Sequence, residues 1–304
     1  MNDEPYDRPG KPYGGDYQIL EAIYKSKPNF MLWLGDNTYF READFTTKSG
    51  IYYRQTHTRS VKELQPLLAN THHYAIWDDH DFGPNDANGS FYNKALTLKA
   101  FQDFWPNPNY GIEGTDACAG KFSYADCDFF LLDNRTFRTP LYDTGLSEIL
   151  GSKQIEWLIA GLKSSRASFK FVAVGGQFLN TAQVYENHAN YAAERDFLLR
   201  RIREENIRNV VFLSGDRHHS EVNHLALSDD LYISEITSSP LTSSAHRSVK
   251  EKNDNLVKGS LIKERNYATL KVSGKLKKRA LSITFYNSQG EELYNHAIPL
   301  QDGK

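Results

Sequence analysis

The chain has 304 residues, of which 39% are hydrophobic and 24% charged, and its formal net charge is −2. This balance is ordinary for a folded protein of one large or two average domains, and it excludes a global field that would attract nucleic acid or a membrane surface. No apolar run approaches the length of a membrane span, and no signal peptide opens the sequence.

Five short apolar runs follow one another along the chain, and each ends in a polar cluster. They cover residues 30–34, 74–77, 129–132, 171–174 and 210–213. Continuous runs of this length predict buried strands of a sheet that is covered on both faces. Segment 16–26 precedes the first run, and segments 152–165 and 193–206 lie between later runs. All three have the apolar spacing of helices.

Strands that alternate with helices predict an α/β fold, in which ligands bind where the strands end at their carboxyl side. We therefore expect the five polar clusters to converge on one site. The stretch "CAGKFSYADCDFFLLD" predicts a hairpin that turns at Ala125-Asp126, with Tyr124 facing Cys127. Cys118 would then lie near Asp133, too far from Cys127 for a disulfide, so we predict two free thiols.

The end of the chain has a different pattern. "NYATLKVSG" and "RALSITFYNSQGEELYNHAIPL" alternate apolar and polar residues and predict antiparallel strands that complete a second sheet. The polar residues 243–263 predict a loop, and residues 44–59 predict another. We expect a single domain over residues 1–304, with a catalytic core in 1–258 and the antiparallel strands in 259–304.

The clusters after the strands contain side chains suited to binding metal ions. These are Asp36, Tyr39, Asp79, His80, Gln177, Asp216 and His218. Carboxylate and amide oxygens suit Ca²⁺, Mg²⁺ or Mn²⁺, whereas imidazole and phenolate suit iron or zinc. Several acids at one point repel each other unless a cation lies among them, so the pattern predicts a metal centre. Arg135 and Arg138 in "LDNRTFR" would hold phosphate oxygens.

Each of these residues also has a purely structural explanation. Asp36 follows a glycine and is compatible with a turn, and residues 78–81 are compatible with a helix N-cap. Tyrosine and glutamine most often serve packing or the surface, and the two arginines are compatible with ordinary salt bridges. The recurrence of polar clusters after five strands favours the metal centre over these explanations.

The motifs, taken in order, resemble a known family. "WLGDNTYF", "WDDHDFGPNDAN", "LDNRTFR", "LGSKQIEWL" and "LSGDRHHSEV" are similar to the calcineurin-like metallophosphoesterase superfamily, and within it to the alkaline phosphatase D (PhoD-like) branch. The resemblance covers residues 14–241. It implies a four-layer αββα sandwich with a dinuclear or larger metal centre. It also implies hydrolysis of phosphomonoesters or phosphodiesters, with iron and calcium as the metals of the PhoD enzymes.

The resemblance also implies roles for single residues. Asp36 matches the Gly-Asp motif and would bridge the metals, and Tyr39 matches a tyrosine that binds iron. Asp79 would bind a metal, while His80 would lie near the leaving group as an acid or phosphate contact.

Three further roles follow from the later motifs. Gln177 stands where many relatives have a metal-binding histidine. Asp216 and His218 stand in the final motif, as ligands of the second and first metal respectively. The second site would then have only oxygen ligands, which favours calcium over zinc.

The sequence departs from the family at its start. The superfamily opens with a strand that delivers an Asp-x-His or, in the PhoD branch, a Cys ligand. Before Gly35 this chain has no Cys, no His and no other apolar strand run ahead of residues 30–34. We therefore expect the first strand to be missing, the chain to be N-terminally shortened, and Asp3 or Asp7 to be the available substitutes.

The sequence thus predicts a metal-dependent phosphoesterase in which a metal-bound hydroxide attacks phosphorus. Calcium with iron is the expected metal content, with Mg, Mn and Zn as alternatives. A metal- or phosphate-binding protein without turnover and a nuclease of the same fold are the alternative functions, although no basic stripe with interleaved aromatic residues supports a nuclease. We expect a small phosphorylated substrate, no nucleic-acid partner and, by resemblance, a periplasmic or secreted protein.

Overall fold

The secondary structure follows the apolar pattern of the sequence. The computed structural model describes residues 1–3, 16–142 and 146–301. The helices are α1 (Gln18–Lys25), α2 (Lys48–Arg59), α3 (Gln65–Asn70), α4 (Asp79–Phe82), α5 (Lys94–Phe104), α6 (Ser152–Ser164) and α7 (Ala192–Glu204). The strands are β1 (Phe30–Leu34), β2 (His72–Ile76), β3 (Gly120–Tyr124), β4 (Cys127–Leu131), β5 (Phe169–Ala173), β6 (Val210–Ser214), β7 (Glu221–Ser228), β8 (Leu231–Thr237), β9 (Asn266–Ser273), β10 (Ala280–Asn287) and β11 (Glu292–Pro299).

A six-stranded sheet contains three of the five predicted apolar strands. Its strand order is β3-β4-β5-β6-β8-β7, with β4, β5, β6 and β8 parallel and the two edge strands antiparallel to their neighbours. Every residue of β4, β5 and β6 is buried. Burial on both faces explains why these strands have continuous apolar sequences rather than alternating ones.

Two smaller sheets form the next layer. Strands β1 and β2 pair in parallel, and β9, β10 and β11 form an antiparallel sheet in the order β11-β10-β9. The three C-terminal strands pair with one another in antiparallel orientation. Within the described residues no ladder of hydrogen bonds joins these strands to β1 and β2, so they form a sheet of their own.

Three hydrophobic cores stack the elements into four layers. One core packs α6 and α7 on the six-stranded sheet, with Leu158 and Phe212 at its centre. A second core lies between the six-stranded sheet and the smaller sheets and contains Phe171 and Ile283. The third packs α1, α3 and α5 on the outer face of the smaller sheets. The order helix, sheet, sheet, helix confirms the predicted four-layer α/β sandwich.

The local predictions agree with the structure except at one segment. Tyr124 pairs with Cys127 across the predicted hairpin, and both cysteines are free and buried. Residues 44–59 were expected to form a loop, which is wrong because residues 48–59 form α2. The hydroxyl of Thr47 caps this helix by accepting a hydrogen bond from the amide of Gly50. Among the described residues, none of the helices combines the length and apolarity needed to cross a membrane.

Candidate metal centre

The carboxyl ends of the predicted strands meet, and glycines allow the close approach. A Cβ at Gly215, after β6, would lie 2.7 Å from the carbonyl oxygen of Leu34 in β1, and a Cβ at Gly35 would lie 2.7 Å from the Cβ of Asp78. The amide of Gly215 donates to the carbonyl oxygen of Gly175, after β5. No side chain fits at these positions, so the ends of β1, β2, β5 and β6 lie close together.

Three of the residues predicted from the sequence form one compact group. Ligand atoms of Asp36, Asp79 and His80 all lie within 4.8 Å of one another. The phenol of Tyr39 donates to Oδ2 of Asp36 at 2.9 Å, and its ring stacks on that of His80 with centroids 4.2 Å apart. Tyr39 therefore holds both Asp36 and His80 in place.

Helix α4 supplies part of this group. Asp78 is its N-cap, and a capping box links Asp78 with Asp81. The amide of His80 donates to Oδ1 of Asp79 at 2.8 Å, and the amide of Asp86 donates to Oδ2 of Asp79 at 2.7 Å. The first turn of a short helix thus fixes the Asp79 carboxylate beside Asp36.

The backbone is strained at three of the predicted ligands. Asp36, Asp216 and His218 have φ angles of 50°, 64° and 54°. Residues other than glycine rarely adopt this left-handed conformation, which persists only where the surrounding structure enforces it. Such strain is concentrated at functional sites in proteins, and here it coincides with residues chosen from the sequence for metal binding.

The electrostatics of the group favour a bound cation. Burial, together with the charges of Asp79, Asp78, Asp81 and Asp216, raises the pKa of Asp36 well above its usual value. Burial, followed by the charges of neighbouring acids, also raises the pKa of Asp216. A cation among these carboxylates would remove the repulsion between them.

Burial favours the neutral forms of the histidines and of the tyrosine at the centre. Burial, with the nearby His246, lowers the pKa of His218 to about 4, and burial also lowers the pKa of His80. A neutral imidazole is the form that binds a metal. Burial and the charge of Asp36 raise the pKa of Tyr39 well above its usual value, so its phenol is a donor to Asp36.

A second acidic group shares Asp79 with the first. Ligand atoms of Asp78, Asp79 and Glu186 lie within 4.8 Å of one another. Arg135 already neutralises part of this group, since its Nε donates to Oδ1 of Asp78 at 2.7 Å and its Nη1 to Oε1 of Glu186 at 2.9 Å. Among the described residues, Oδ2 of Asp78 is buried and finds no hydrogen-bond partner. A buried carboxylate oxygen without a donor fits a cation ligand.

Both predicted phosphate-binding arginines contact protein carboxylates. Arg135 is fully buried between Asp78 and Glu186. Arg138 has a side-chain exposure of 10% and forms an ion pair with Glu186 at 2.6 Å. Both guanidinium groups therefore bind Glu186, a member of the second acidic group. Neither guanidinium is free of protein partners.

Gln177 lies in a polar network rather than against Asp36. Its Nε2 donates to Glu221 at 2.7 Å and to the hydroxyl of Thr237 at 3.0 Å. Its Oε1 accepts from Arg217 at 2.7 Å and from Asn180 at 2.8 Å. The amide oxygen that a metal would use thus already has two donors, and the ligand role of Gln177 remains a prediction.

The substitute ligands proposed for the start of the chain have different outcomes. Asp3 is buried, and its Oδ2 contacts Nδ1 of His57 at 2.6 Å and accepts from the hydroxyl of Thr58 at 3.0 Å. These partners hold its carboxylate at helix α2. Asp7 lies outside the described residues.

Sequence reasoning missed two acids that position the centre. Asp81 is buried and accepts from the amides of Asn37 and Thr38, at 3.1 and 2.8 Å, so it fixes the loop that carries Asp36. Burial raises the pKa of Asp81 to about 7. The position of Asp81 in the run of acids after β2 could have indicated its role. Glu186 lies in a segment without any recognisable motif.

Comparisons with known proteins agree with this geometry. A family model described as PhoD-like phosphatase matches residues 9–281. Alkaline phosphatase D of Bacillus subtilis (strain 168) is 25% identical over 260 aligned residues, which cover 69% of this chain and 45% of that protein. This chain therefore spans less than half the length of that relative.

Two solved structures share the fold. The structure of PhoD has a TM-score of 0.75 and 18% identity, covering 95% of this chain and 68% of that one. Purple acid phosphatase PPD1 from yellow lupin (Lupinus luteus) seeds has a TM-score of 0.61 and 12% identity, covering 94% and 49%. This metallophosphoesterase fold implies divalent or trivalent metal cofactors, which the acidic groups above fit. Since the family model spans most of the sequence, the chain belongs to the PhoD-like phosphatase family.

Proposed function

We propose that the chain is a metal-dependent phosphoesterase that hydrolyses phosphomonoesters or phosphodiesters. The observation that carries this proposal is the group of Asp36, Asp79 and His80, whose ligand atoms lie within 4.8 Å of one another at the meeting point of the strands. Membership of the PhoD-like phosphatase family supports the same reaction.

Asp36, Asp79 and Asp216 hold the cations, with Tyr39, His218 and Gln177 as the further predicted ligands. When bound, the cations supply the positive charge that activates water and stabilises the charge developing on phosphate. Calcium with iron is the proposed content, because carboxylate oxygens suit calcium whereas the phenol and imidazole groups suit iron.

His80 is proposed to act on the substrate rather than on the metal alone. Its ring is held by stacking on Tyr39, and burial lowers the pKa of its imidazole. A positioned imidazole can hold or deliver a proton at the leaving oxygen. Of the two arginines, Arg138 is the better placed to bind phosphate, since Arg135 is fully enclosed by its carboxylate partners.

The test combines metal analysis with hydrolysis of two chromogenic substrates. Plasma emission spectroscopy of the dialysed protein should find at least one hard cation per chain, and chelation should abolish turnover. Comparison of a nitrophenyl monoester with a bis-nitrophenyl diester gives the preferred substrate class. Full activity in the metal-free protein would refute the proposal. Bound metal with no turnover of either ester would favour the alternative of a binding protein.

The family resemblance also supports a periplasmic or secreted location. Fractionation of the cells that express the gene tests this point, and recovery of the protein with the cytoplasmic fraction would contradict it. A small phosphorylated compound remains the proposed substrate.

A further inference from the structure

Two exposed rings, those of Tyr185 and His246, form an aromatic pair beside the metal centre. The side chain of Tyr185 is 70% exposed, and His246 is exposed as well. Their ring centroids are 6.1 Å apart, and their planes are inclined by 32°. The ring of His246 also lies 5.1 Å from that of His218, a predicted metal ligand. The aromatic pair therefore extends outward from the centre.

The aromatic pair lies on the side of the centre where the leaving group would depart. His80 and His218 are half-buried, so the centre is not sealed from solvent at these two rings. Burial, then His246 and, to a smaller extent, His80 lower the pKa of His218, so both of these rings lie near it. His80 is the residue proposed to hold a proton at the leaving oxygen. A leaving group that extends from this point would pass over His246 towards Tyr185.

Tyr185 is held on a well-bonded turn. The amide of Asn187 donates to the carbonyl oxygen of Val184 at 3.2 Å, which closes the turn over residues 184–187. The side chain of Asn190 donates to the carbonyl oxygen of Tyr185 at 2.7 Å, and that of Asn187 accepts from Nη1 of Arg217 at 2.7 Å. The backbone is thus fixed on both sides of the exposed ring.

This turn directs two successive side chains to different places. Glu186 is buried and belongs to the second acidic group, whereas Tyr185 is exposed. The φ angle of Tyr185 is 48°, in the left-handed region. In the part of the chain that the structure describes, no other large exposed hydrophobic residue has a positive φ. Such strain persists only where the surrounding structure enforces it, and it is concentrated at functional sites.

Arg217 ties together the two loops that carry the aromatic pair. The amide of His246 donates to the carbonyl oxygen of His218 at 2.8 Å. Further along the same loop, both carboxylate oxygens of Glu251 accept from Nη2 of Arg217, at 2.9 and 2.8 Å. The guanidinium of Arg217 lies 5.0 Å from the centre of the Tyr185 ring. This cation–π contact supports the ring and leaves most of its surface exposed.

We propose that Tyr185 and His246 bind the planar aromatic part of a substrate's leaving group, so that the protein prefers aryl or nucleoside phosphates to phosphates of simple alkyl alcohols. Flat rings stack favourably on aromatic side chains, and the phosphate is left to the metal centre. This inference rests on the proposed phosphoesterase function and names the class of its substrate.

Two esters with the same kind of reacting bond test the proposal. Adenosine 5′-phosphate and glycerol phosphate both release a primary alcohol, so they differ mainly in the aromatic base. Tyr185→Leu should lower kcat/KM for the nucleotide about tenfold and that for glycerol phosphate much less. The loss should appear as a higher KM, because the base is bound equally before and during the reaction. Tyr185→Phe keeps the ring and should retain the parent rate.

A remote tyrosine supplies the control variant. Tyr124 is 44% exposed and lies in the turn before β4, at the end of the sheet opposite to the metal centre. Tyr124→Leu should leave both rates unchanged. His246→Leu should act on the nucleotide in the same direction as Tyr185→Leu. Plasma emission spectroscopy should find the parent metal content in Tyr185→Leu, which separates lost stacking from damage to the centre.

Phenyl phosphate distinguishes the two sources of an aromatic ring. If Tyr185→Leu lowers kcat/KM for phenyl phosphate as much as for the nucleotide, the aromatic pair accepts any flat ring. If the loss is confined to the nucleotide, the aromatic pair binds a nucleobase. Both outcomes support the proposal.

Two kinetic outcomes would overturn the proposal. They are an equal loss for the nucleotide and for glycerol phosphate, which would make Tyr185 structural, and no loss for either aromatic ester. If no ester is hydrolysed, the proposed function fails, and calorimetry of the metal-loaded protein then tests the aromatic pair alone. Adenosine 5′-phosphate should bind the parent about tenfold more tightly than it binds Tyr185→Leu. Equal affinities would refute the role of the aromatic pair.

Discussion

Two polar regions lie side by side in this protein and differ in how their carboxylates are stabilised. One is the acidic group around Asp36 and Asp79, and the other is the amide network around Gln177 and Glu221. The loop after β6 joins them, since Asp216 belongs to the first region and Arg217 to the second. The main difference between the two regions lies in the partners of their carboxylates.

In the network, the carboxylates have abundant donors. Oε1 of Glu221 accepts from Gln177, Asn180, Asn223 and Asn253, at distances of 2.7 to 3.1 Å. Burial alone would raise the pKa of Glu221, but the nearby His219, whose Nε2 lies 3.4 Å from Oε2 of Glu221, and the hydrogen bonds from Asn223 and Gln177 outweigh it and lower the pKa below the usual value. The Glu221 carboxylate is therefore stabilised without a bound cation.

In the acidic group, the carboxylates face one another. Asp36 accepts from the phenol of Tyr39 and the amide of His80, and its pKa is raised well above normal by burial and by neighbouring acids. Two buried carboxylates in one molecule thus shift in opposite directions. The comparison teaches that burial does not by itself mark a functional site, whereas buried acids with too few donors do.

The largest effect should come from removing a predicted ligand and a predicted substrate contact. We expect Asp216→Asn and His80→Ala each to lower the rate of ester hydrolysis by about 10²–10⁴-fold. Metal content should fall with activity in Asp216→Asn and be largely retained in His80→Ala, because only the first removes a ligand charge. Asp254→Asn, at an exposed position, is the control. Equal metal loss in both variants would reject the division of roles.

The next effect concerns the arginine that links Asp78 to Glu186. We expect Arg135→Met to lower the free energy of unfolding by about 3–5 kcal/mol, because it removes the buried positive charge that pairs with Asp78 and leaves Glu186 with Arg138 as its remaining ion-pair partner. Urea denaturation measures this loss. Arg138→Met removes one largely buried ion pair but leaves Glu186 its bonds to Arg135, so it should lose less, about 1–3 kcal/mol.

A different result with Arg135→Met would change its assignment. If the variant keeps its stability but its KM for the ester rises, the guanidinium serves the substrate rather than the carboxylates.

A smaller effect should distinguish the two explanations of Gln177. We expect Gln177→Leu to lower the free energy of unfolding by about 1–3 kcal/mol, since it leaves buried donors and acceptors of the network unpaired. Metal content should stay unchanged, because its amide oxygen already accepts from Arg217 and Asn180. Gln183→Leu, at an exposed position with one bond to a carbonyl, is the control. Loss of metal would instead establish Gln177 as a ligand.

The smallest effect should have the opposite sign. In the presence of a chelator, we expect Asp36→Asn to raise the free energy of unfolding by about 1 kcal/mol, because it removes one of several mutually repelling acids. Since the pKa of Asp36 is raised on folding, the gain should shrink as the pH falls and Asp36 takes up a proton. With metal present, the same variant should be less stable than the parent chain. Destabilisation in the chelator would show that the acids do not repel.

Much of the fold was predictable because buried strands and amphipathic helices have distinct periodicities. The hairpin register at Tyr124 and Cys127 followed from turn chemistry alone. Helix α2 was missed because its sequence, Lys48–Arg59, lacks a clear apolar face and is fixed mainly by burial of Ile51 and by Arg54, which bonds to Asp44.

The candidate site was predictable only in part. Asp36, Asp79 and His80 could be found because each directly follows a strand, where the topology of the fold brings residues together. Glu186 and the partners of Gln177 depend on contacts between segments far apart in sequence, at separations of about 30 to 60 residues. No periodicity records such contacts, so the sequence could not distinguish a ligand from a member of a hydrogen-bonded network.

Helix α4 makes the spacing between its residues as important as their identity. Successive residues of a helix point about 100° apart, and here Asp79 faces the acidic group, His80 stacks on Tyr39 and Asp81 holds the preceding loop. Inserting or deleting one residue in this turn would redirect all three side chains together. Point substitutions here alter one task at a time, whereas a change of length would remove all three, so we expect this segment to tolerate changes of composition better than changes of length.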